Sequence, residues 1–342
     1  MVAPTPIPII LDVDTGIDDS VALLYACASP EAELVAATCL FGNAEAQQVA
    51  ENTRAVLELA GRGDVEVAIG RETPLVRALV TTPETHGPRG IGDALLPPAT
   101  HPLSPRRAVD VVIGTATDRP GEVTLVTLGP LTTLAMALER EPALPRLLRR
   151  WVAMAGAFGV PGNTTPVAEW NVHSDPEAAK LAFAGWARAI DADPSIPPAL
   201  VLGLDATERV RFMPEHLAEL SRRTTDPRDE PGGSPILRFL EDALGFYFRF
   251  HAAYDGFYGA FVHDPLVVAA ALDPALVTTM PVFVDVETAG QLTAGMTVAD
   301  RRGHSGRRPN AEIAIDVDGP RVLERLIGRI ARLASGPPDM AI

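Results

Sequence analysis

Along the first half of the chain, short apolar runs alternate with stretches whose apolar residues recur every three or four positions. The runs at 7–11, 33–40, 65–69, 124–128 and 151–154 are mostly apolar, with apolar residues on both alternating sets of positions, as in strands covered on both faces. Between them, helical patterns cover 19–28, 44–60, 105–118 and 131–139. This alternation predicts a mostly parallel sheet with helices on either side, since each parallel connection has to cross over. A Gly/Pro-rich loop at 159–166 follows, then a helix starting near Asp175-Pro176 and a strand at 200–204. A polar loop at 224–234 precedes a long aromatic-rich helix at about 235–253. Short strands at 282–286, 296–299 and 313–317 and a helix near 322–333 complete the pattern. With no repeat and no clean linker, the expectation is one α/β domain over 1–342, with a mostly parallel central sheet flanked by helices and a Rossmann-like core.

Composition narrows the partners. A net charge of −15 leaves no basic stripe for a polyanion, so nucleic acid is not expected. A small neutral ligand or a cation fits better. The two cysteines, Cys27 and Cys39, each sit in an apolar stretch, which speaks for a reducing compartment rather than a disulfide framework. The first residues carry no basic start, Asp12 interrupts the apolar run early, and no apolar run approaches the ~18 residues of a membrane span. The expected setting is cytoplasmic, with no membrane partner.

In sheets of this kind ligands bind outside the carboxyl ends of the strands, which directs attention to 12–19, Gly42-Asn43, Leu128-Gly129 and the loop after Met154. The strongest feature is Asp12-Val13-Asp14-Thr15-Gly16-Ile17-Asp18-Asp19, four carboxylates directly after an apolar strand. Unpaired anions at one strand end repel one another and cost stability unless a cation offsets them. Helix capping accounts for Asp18 or Asp19 but not for Asp12 and Asp14 as well. A hard divalent ion with oxygen ligands accounts for all four, and Ca²⁺ tolerates irregular coordination better than Mg²⁺.

Residues 12–19 closely resemble the Asp-x-Asp-Pro-Gly-x-Asp-Asp signature of the inosine-uridine-preferring nucleoside hydrolases. Phe41-Gly42-Asn43, Thr85-His86-Gly87 with Gly90, Leu128-Gly129-Pro130-Leu131-Thr132, the run Gly162 to Asn171 with Asp175-Pro176, and His263-Asp264-Pro265 follow in the order of that family's motifs. The matches extend from about residue 7 to 272. Singly, some are weak. Asp-Pro occurs five times here, and Asp at a helix cap with Pro at the first helical position is the common reason.

The resemblance implies a nucleoside hydrolase fold and cleavage of the N-glycosidic bond of ribonucleosides. It implies that Asp14, Asp19, Asp264 and the backbone carbonyl of Leu128 hold Ca²⁺, that Asp14 is also the general base toward water, and that Asp12 supports the site from behind. It assigns the ribose to Asp18, Asn43, Met154, Asn163, Glu169 and Asn171, protonation of the departing base to His263, and closure over it to His86. It also implies a homodimer or homotetramer. Three departures stand out: Thr15 in place of Pro, with Gly16 kept for the turn; Trp170 where Phe is usual; and Ala155 in place of Gly, which should crowd the ribose. The aromatic segment 246–258 is expected near the base. Two other readings compete. Asp12-Val13-Asp14-Thr15 also fits the opening of haloacid-dehalogenase-type phosphatases, with Asp12 as nucleophile, but these need a lysine and Lys180 is the only one. The other is a calcium-stabilised nucleoside-binding protein without turnover.

Overall fold

The computed structural model describes residues 5–224 and 233–336, and its first strand, β1 (Ile7–Val13), shows how the sheet is built. Ile9, Leu11 and Val13 point into one apolar cluster and Ile10 into another, so β1 is buried on both faces. Burying each such side chain contributes roughly 1.5–3 kcal/mol. The other strands are β2 (Ala32–Cys39), β3 (Glu66–Ile69), β4 (Thr124–Thr127), β5 (Arg150–Met154), β6 (Ala199–Leu202), β7 (Arg211–Phe212), β8 (Ala260–Phe261), β9 (Val277–Val286), β10 (Thr297–Asp300) and β11 (Ala311–Val317). Nine of them form one sheet in the order β10-β9-β11-β6-β5-β4-β1-β2-β3, and β7 pairs with β8 as a small separate ribbon.

From β3 to β11 every pairing is parallel, while β9 and β10 are antiparallel additions at one edge. The mostly parallel sheet read from the sequence is therefore present. Its order reverses direction between β1 and β4, the place where adjacent crossovers go to opposite faces and leave a crevice at the strand ends. Helices Ile17–Cys27, Ala46–Leu59, His263–Leu272 and Gly319–Ala334 cover one face. Helices Ala108–Asp118, Thr132–Arg140 and Pro176–Ala192 cover the other, where Trp151 packs on Phe183 and Trp186 with ring centroids 5.3 Å apart.

Differences from the expected elements have physical reasons. Residues 263–272 form a helix that no periodicity announced, because it is buried all round and lacks a polar face. The strand expected at 282–286 is the second half of the longer β9, whose first half is only partly covered. The polar loop expected at 224–234 lies outside the described residues, apart from Thr224, Gly233 and Ser234. Among the described residues, no helix is long and apolar enough to cross a membrane.

Candidate active site at the strand ends

β1 ends at Val13, which delivers Asp14 to the carboxyl edge between the ends of β2 and β4. The chain then turns at Gly16 into the helix Ile17–Cys27, with Asp18 and Asp19 in its first turn. Gly16 was expected to permit the turn, but its φ of −94° suits any residue. What requires glycine is space: a Cβ there would lie 2.6 Å from Asn43 Nδ2 and 2.7 Å from His86 Nδ1. Asp19 does act as a cap, since its Oδ2 accepts the Gly16 amide at 2.8 Å and Asn43 Nδ2 at 3.2 Å. That use consumes one oxygen. Asp19 Oδ1 and Asp18 Oδ1 are buried with no partner.

Asp264 is not a cap. It is the second residue of its helix, behind Val262, whereas Asp175 and Asp273 in the same Asp-Pro pairing accept amides from Ala178 and Ala275 at 3.1 and 3.2 Å. The Asp264 carboxylate instead meets Asp18 and Asp19, with one oxygen of each within 4.8 Å of the others. Asp14 stands beside them; its Oδ2 accepts the Asn43 amide at 2.9 Å. Gly42 and Gly129 close on its carboxylate from two sides. Asp12 is fully buried behind this group, outside the cavity, and Thr38 Oγ1 donates to it at 2.6 Å.

Burial dominates the electrostatics of this group, and the neighbouring carboxylates add to it. Asp18 is pushed up to about 8 and Asp19 to about 6, while Asp14 and Asp264 are held well above the usual carboxylate range. Asp12 is raised to about 7 by burial, against the opposing hydroxyls of Thr38 and Thr133. Among the described residues, no lysine or arginine lines the cavity to offset this charge. An oxygen-only donor set with two orphaned, buried carboxylate oxygens fits a hard divalent cation.

The carboxylates open into a cavity of about 560 Å³. Asp14, Asp18, Asn43, His86, Leu128, Met154, Asn163, Glu169, Asn171, His263 and Asp264 all line it; of the sequence-predicted site residues only Asp12 and Asp19 do not, and Asp19 still joins the carboxylate cluster from just behind the wall. Their engagements differ. The Leu128 carbonyl accepts from Asn171 Nδ2 at 2.5 Å and keeps a second lone pair. The same amide also donates to the Met154 carbonyl at 3.1 Å. Glu169 caps the helix Trp170–Ser174 and accepts three amides, from Gly156, Asn171 and Val172, at 2.6–3.1 Å. Asn163 is exposed at the rim, where its Oδ1 accepts the Trp170 amide at 3.0 Å. Ala155, expected to crowd the ribose, is fully buried in the core on the opposite face of the sheet.

His86 is packed into the wall, with Nδ1 accepting the Ile17 amide at 3.1 Å, so its proton sits on Nε2. His263 Nδ1 lies 2.8 Å from Thr207 Oγ1. Burial and the His251 ring lower both imidazoles to about 3. The wall between them consists of Tyr247, Phe250, His251, Tyr254 and Phe261, so part of the aromatic segment 246–258 lines the cavity. Trp170 adds another ring. Sequence reasoning missed Glu208, Asp255 and Thr207, because nothing in their local pattern marks them. It also missed Asn52, whose Nδ2 ties the Asp14 loop to the His86 loop through the Thr15 and Arg89 carbonyls at 3.2 and 2.7 Å.

The phosphatase alternative loses both of its requirements. Asp12 has no access to the cavity, and Lys180 is ion-paired with Asp285 at the surface, 3.1 Å away.

Residues 9–324 match the model of the family described as inosine-uridine preferring nucleoside hydrolases. The chain is 36% identical over 330 residues to a pyrimidine-specific ribonucleoside hydrolase RihA of Citrobacter koseri, covering 96% of this chain and 99% of that one. It is 37% identical to the RihA of Salmonella newport over 326 residues, with 95% and 98% covered. Among solved structures, a purine-preferring ribonucleoside hydrolase from Gardnerella vaginalis superposes with a TM-score of 0.86 at 30% identity, covering 96% of this chain and 99% of that one. A plant nucleoside hydrolase superposes equally well, with a TM-score of 0.86 at 31% identity over 97% and 100% of the two chains. With its carboxylate cluster at the β1/β4 switch point and this agreement over nearly its whole length, the chain belongs to the inosine-uridine preferring nucleoside hydrolase family.

Proposed function

We infer that this enzyme hydrolyses the N-glycosidic bond of ribonucleosides to free base and ribose, with Ca²⁺ as its metal. The observation that carries the reading is the convergence of Asp14, Asp18, Asp19 and Asp264, with orphaned oxygens on Asp18 and Asp19, at a cavity that is also lined by aromatic rings. A ribose, rich in hydroxyls, matches the carboxylates and a flat base the rings.

Asp14, Asp19, Asp264 and the free lone pair of the Leu128 carbonyl are the groups that would hold Ca²⁺, an ion satisfied by six to eight oxygens in irregular arrangements. When bound, such an ion lowers the pKa of water. Asp14, with one oxygen fixed by the Asn43 amide, is positioned to take the water's proton as general base. Asp18, Asn43, Asn171 and Met154 line the cavity beside the carboxylates, where they would hold the ribose hydroxyls. As the bond to the base breaks, the ribosyl group gains oxocarbenium character, and anions held around the ring stabilise that charge. The leaving base departs toward the imidazoles, of which His263 is the member that the family resemblance selects.

The test is paired: metal analysis of the purified protein, and ribose release from uridine and inosine before and after chelation and calcium return. The reading expects bound calcium and activity that is lost and regained with it. Activity indifferent to a strong chelator would remove the metal from the account.

A further inference from the structure

His251 is expected neither as a ligand nor as an acid, yet its surroundings are more specialised than those of the other two imidazoles in the cavity. It projects from the last turn of the helix Pro235–Tyr254 and is 3% exposed. Its ring lies among Tyr247, Phe250, Phe257 and Phe261, with centroids 4.5, 5.3, 5.4 and 5.0 Å away. Nδ1 is 2.7 Å from Asp255 Oδ2, one turn along, while Nε2 is buried without a partner. A carboxylate on Nδ1 fixes the ring and leaves Nε2 as the atom free to work, the arrangement by which an orienting acid prepares a histidine for proton transfer.

Burial holds the His251 imidazole below its ordinary value; Asp255 works against that by favouring the cation, and Arg211, lying over the Phe257 ring at 4.3 Å, adds to the lowering. Glu208 adds a second carboxyl beside Asp255, and burial together with Asp255 raises it to about 7. His86 and His263 face the same space and repel a charge on His251, as it repels one on them. His86 Nδ1 has only a backbone amide and His263 Nδ1 only a hydroxyl. Of the three, His251 alone has a carboxylate partner.

We propose that His251, oriented by Asp255, is the general acid that gives its Nε2 proton to the departing base, which supplies the hydrogen-bond partner that Nε2 lacks. The proposal rests on the hydrolase reading above. In the step, the C1′–N bond breaks and its electron pair passes to the base, which takes the proton from His251. The water oxygen bonds to C1′ while Asp14 receives its proton. Both protons then equilibrate with solvent, which Asp255 reaches from its exposed side, so only water and nucleoside are consumed.

The test compares His251→Gln, Asp255→Asn and His263→Ala in the full-length, metal-loaded protein, on uridine and inosine and on 4-nitrophenyl riboside, whose leaving group needs no proton. His251→Gln should lower kcat on the nucleosides by about 10²–10⁴-fold, the usual range for general acid catalysis, with the nitrophenyl riboside nearly unaffected. Retained riboside turnover shows that the variant is folded and holds its metal. A protonated acid is active below its pKa, so the nucleoside rate falls as pH rises through that value. Asp255→Asn removes the group that favours the cation, and this falling limb should move to lower pH. Equal loss on both substrate types after His251→Gln would overturn the proposal in favour of a packing role. So would a selective loss confined to His263→Ala. Wild-type protein inactive on every riboside is a different result, and it would overturn the hydrolase reading itself.

Discussion

Replacing Gly42 by Ala places a methyl group against the proposed general base without altering any ionisable residue. A Cβ built on Gly42 would lie 2.0 Å from Asp14 Oδ2 and 2.7 Å from its Cβ and Cγ. Carbon contacts settle at ~3.5–4.0 Å, so the carboxylate or the loop has to retreat by more than ~1 Å. Retreat also breaks the 2.9 Å bond from the Asn43 amide to Asp14. A displacement of about 1 Å at a reacting group costs on the order of 10²-fold in rate, and overpacking a tight site costs about 1–3 kcal/mol of stability. The assay is steady-state kinetics on uridine and inosine at saturating calcium, with a thermal melt in parallel. Gly245→Ala is the control. It lies within the helix Pro235–Tyr254, its nearest neighbour would be Arg249 Nη1 at 3.7 Å, and it should leave kcat unchanged. Removing a helical glycine should stabilise the fold by up to ~1 kcal/mol. A Gly42→Ala enzyme with wild-type kcat and calcium affinity would refute the placement of Asp14 at the reacting water.

Asp14→Asn keeps the shape but removes the base and one metal charge, so kcat should fall by at least about 10²–10⁴-fold in a protein that melts cooperatively. The 2′-deoxynucleosides should react far more slowly than their ribo counterparts, because they lose a hydroxyl that the Asp18 side of the cavity addresses; comparable kcat/KM would remove Asp18 from the ribose. Metal removal should create a pH dependence of stability. Asp19, Asp12 and Asp18, raised to about 6, 7 and 8, bind protons more tightly folded than unfolded, so the chelated protein should lose stability as pH rises from about 4 to about 8. Calcium should flatten that slope. Identical melting profiles with and without metal across this range would contradict the assignment.

The parallel sheet was legible because strands buried on both faces leave uninterrupted apolar runs, as in Ile9-Ile10-Leu11. The acid cluster was legible because four carboxylates in eight residues have few structural explanations. Harder to read was which oxygens remain free. Asp19 both caps a helix and joins the cluster, while Glu169 gives its oxygens to three amides, and neither follows from residue type. The helix His263–Leu272 was hidden because burial on all sides erases the amphipathic period. The expected conflict at Ala155 vanished because strand alternation turns its side chain into the core, away from Met154 and the cavity. Asp255 stayed invisible because its meaning depends on lying one helical turn from a histidine that itself reads as part of an aromatic face.

The most direct measurement of the central claim is product analysis. Calcium-loaded protein is incubated with inosine, uridine, cytidine, adenosine and guanosine in phosphate-free buffer, and free base and reducing sugar are quantified together. Hydrolysis predicts equimolar base and ribose from at least one ribonucleoside, unchanged when phosphate is added. Absence of both products across the panel, with nucleosides still raising the melting temperature, would contradict the account and leave a binding protein in its place.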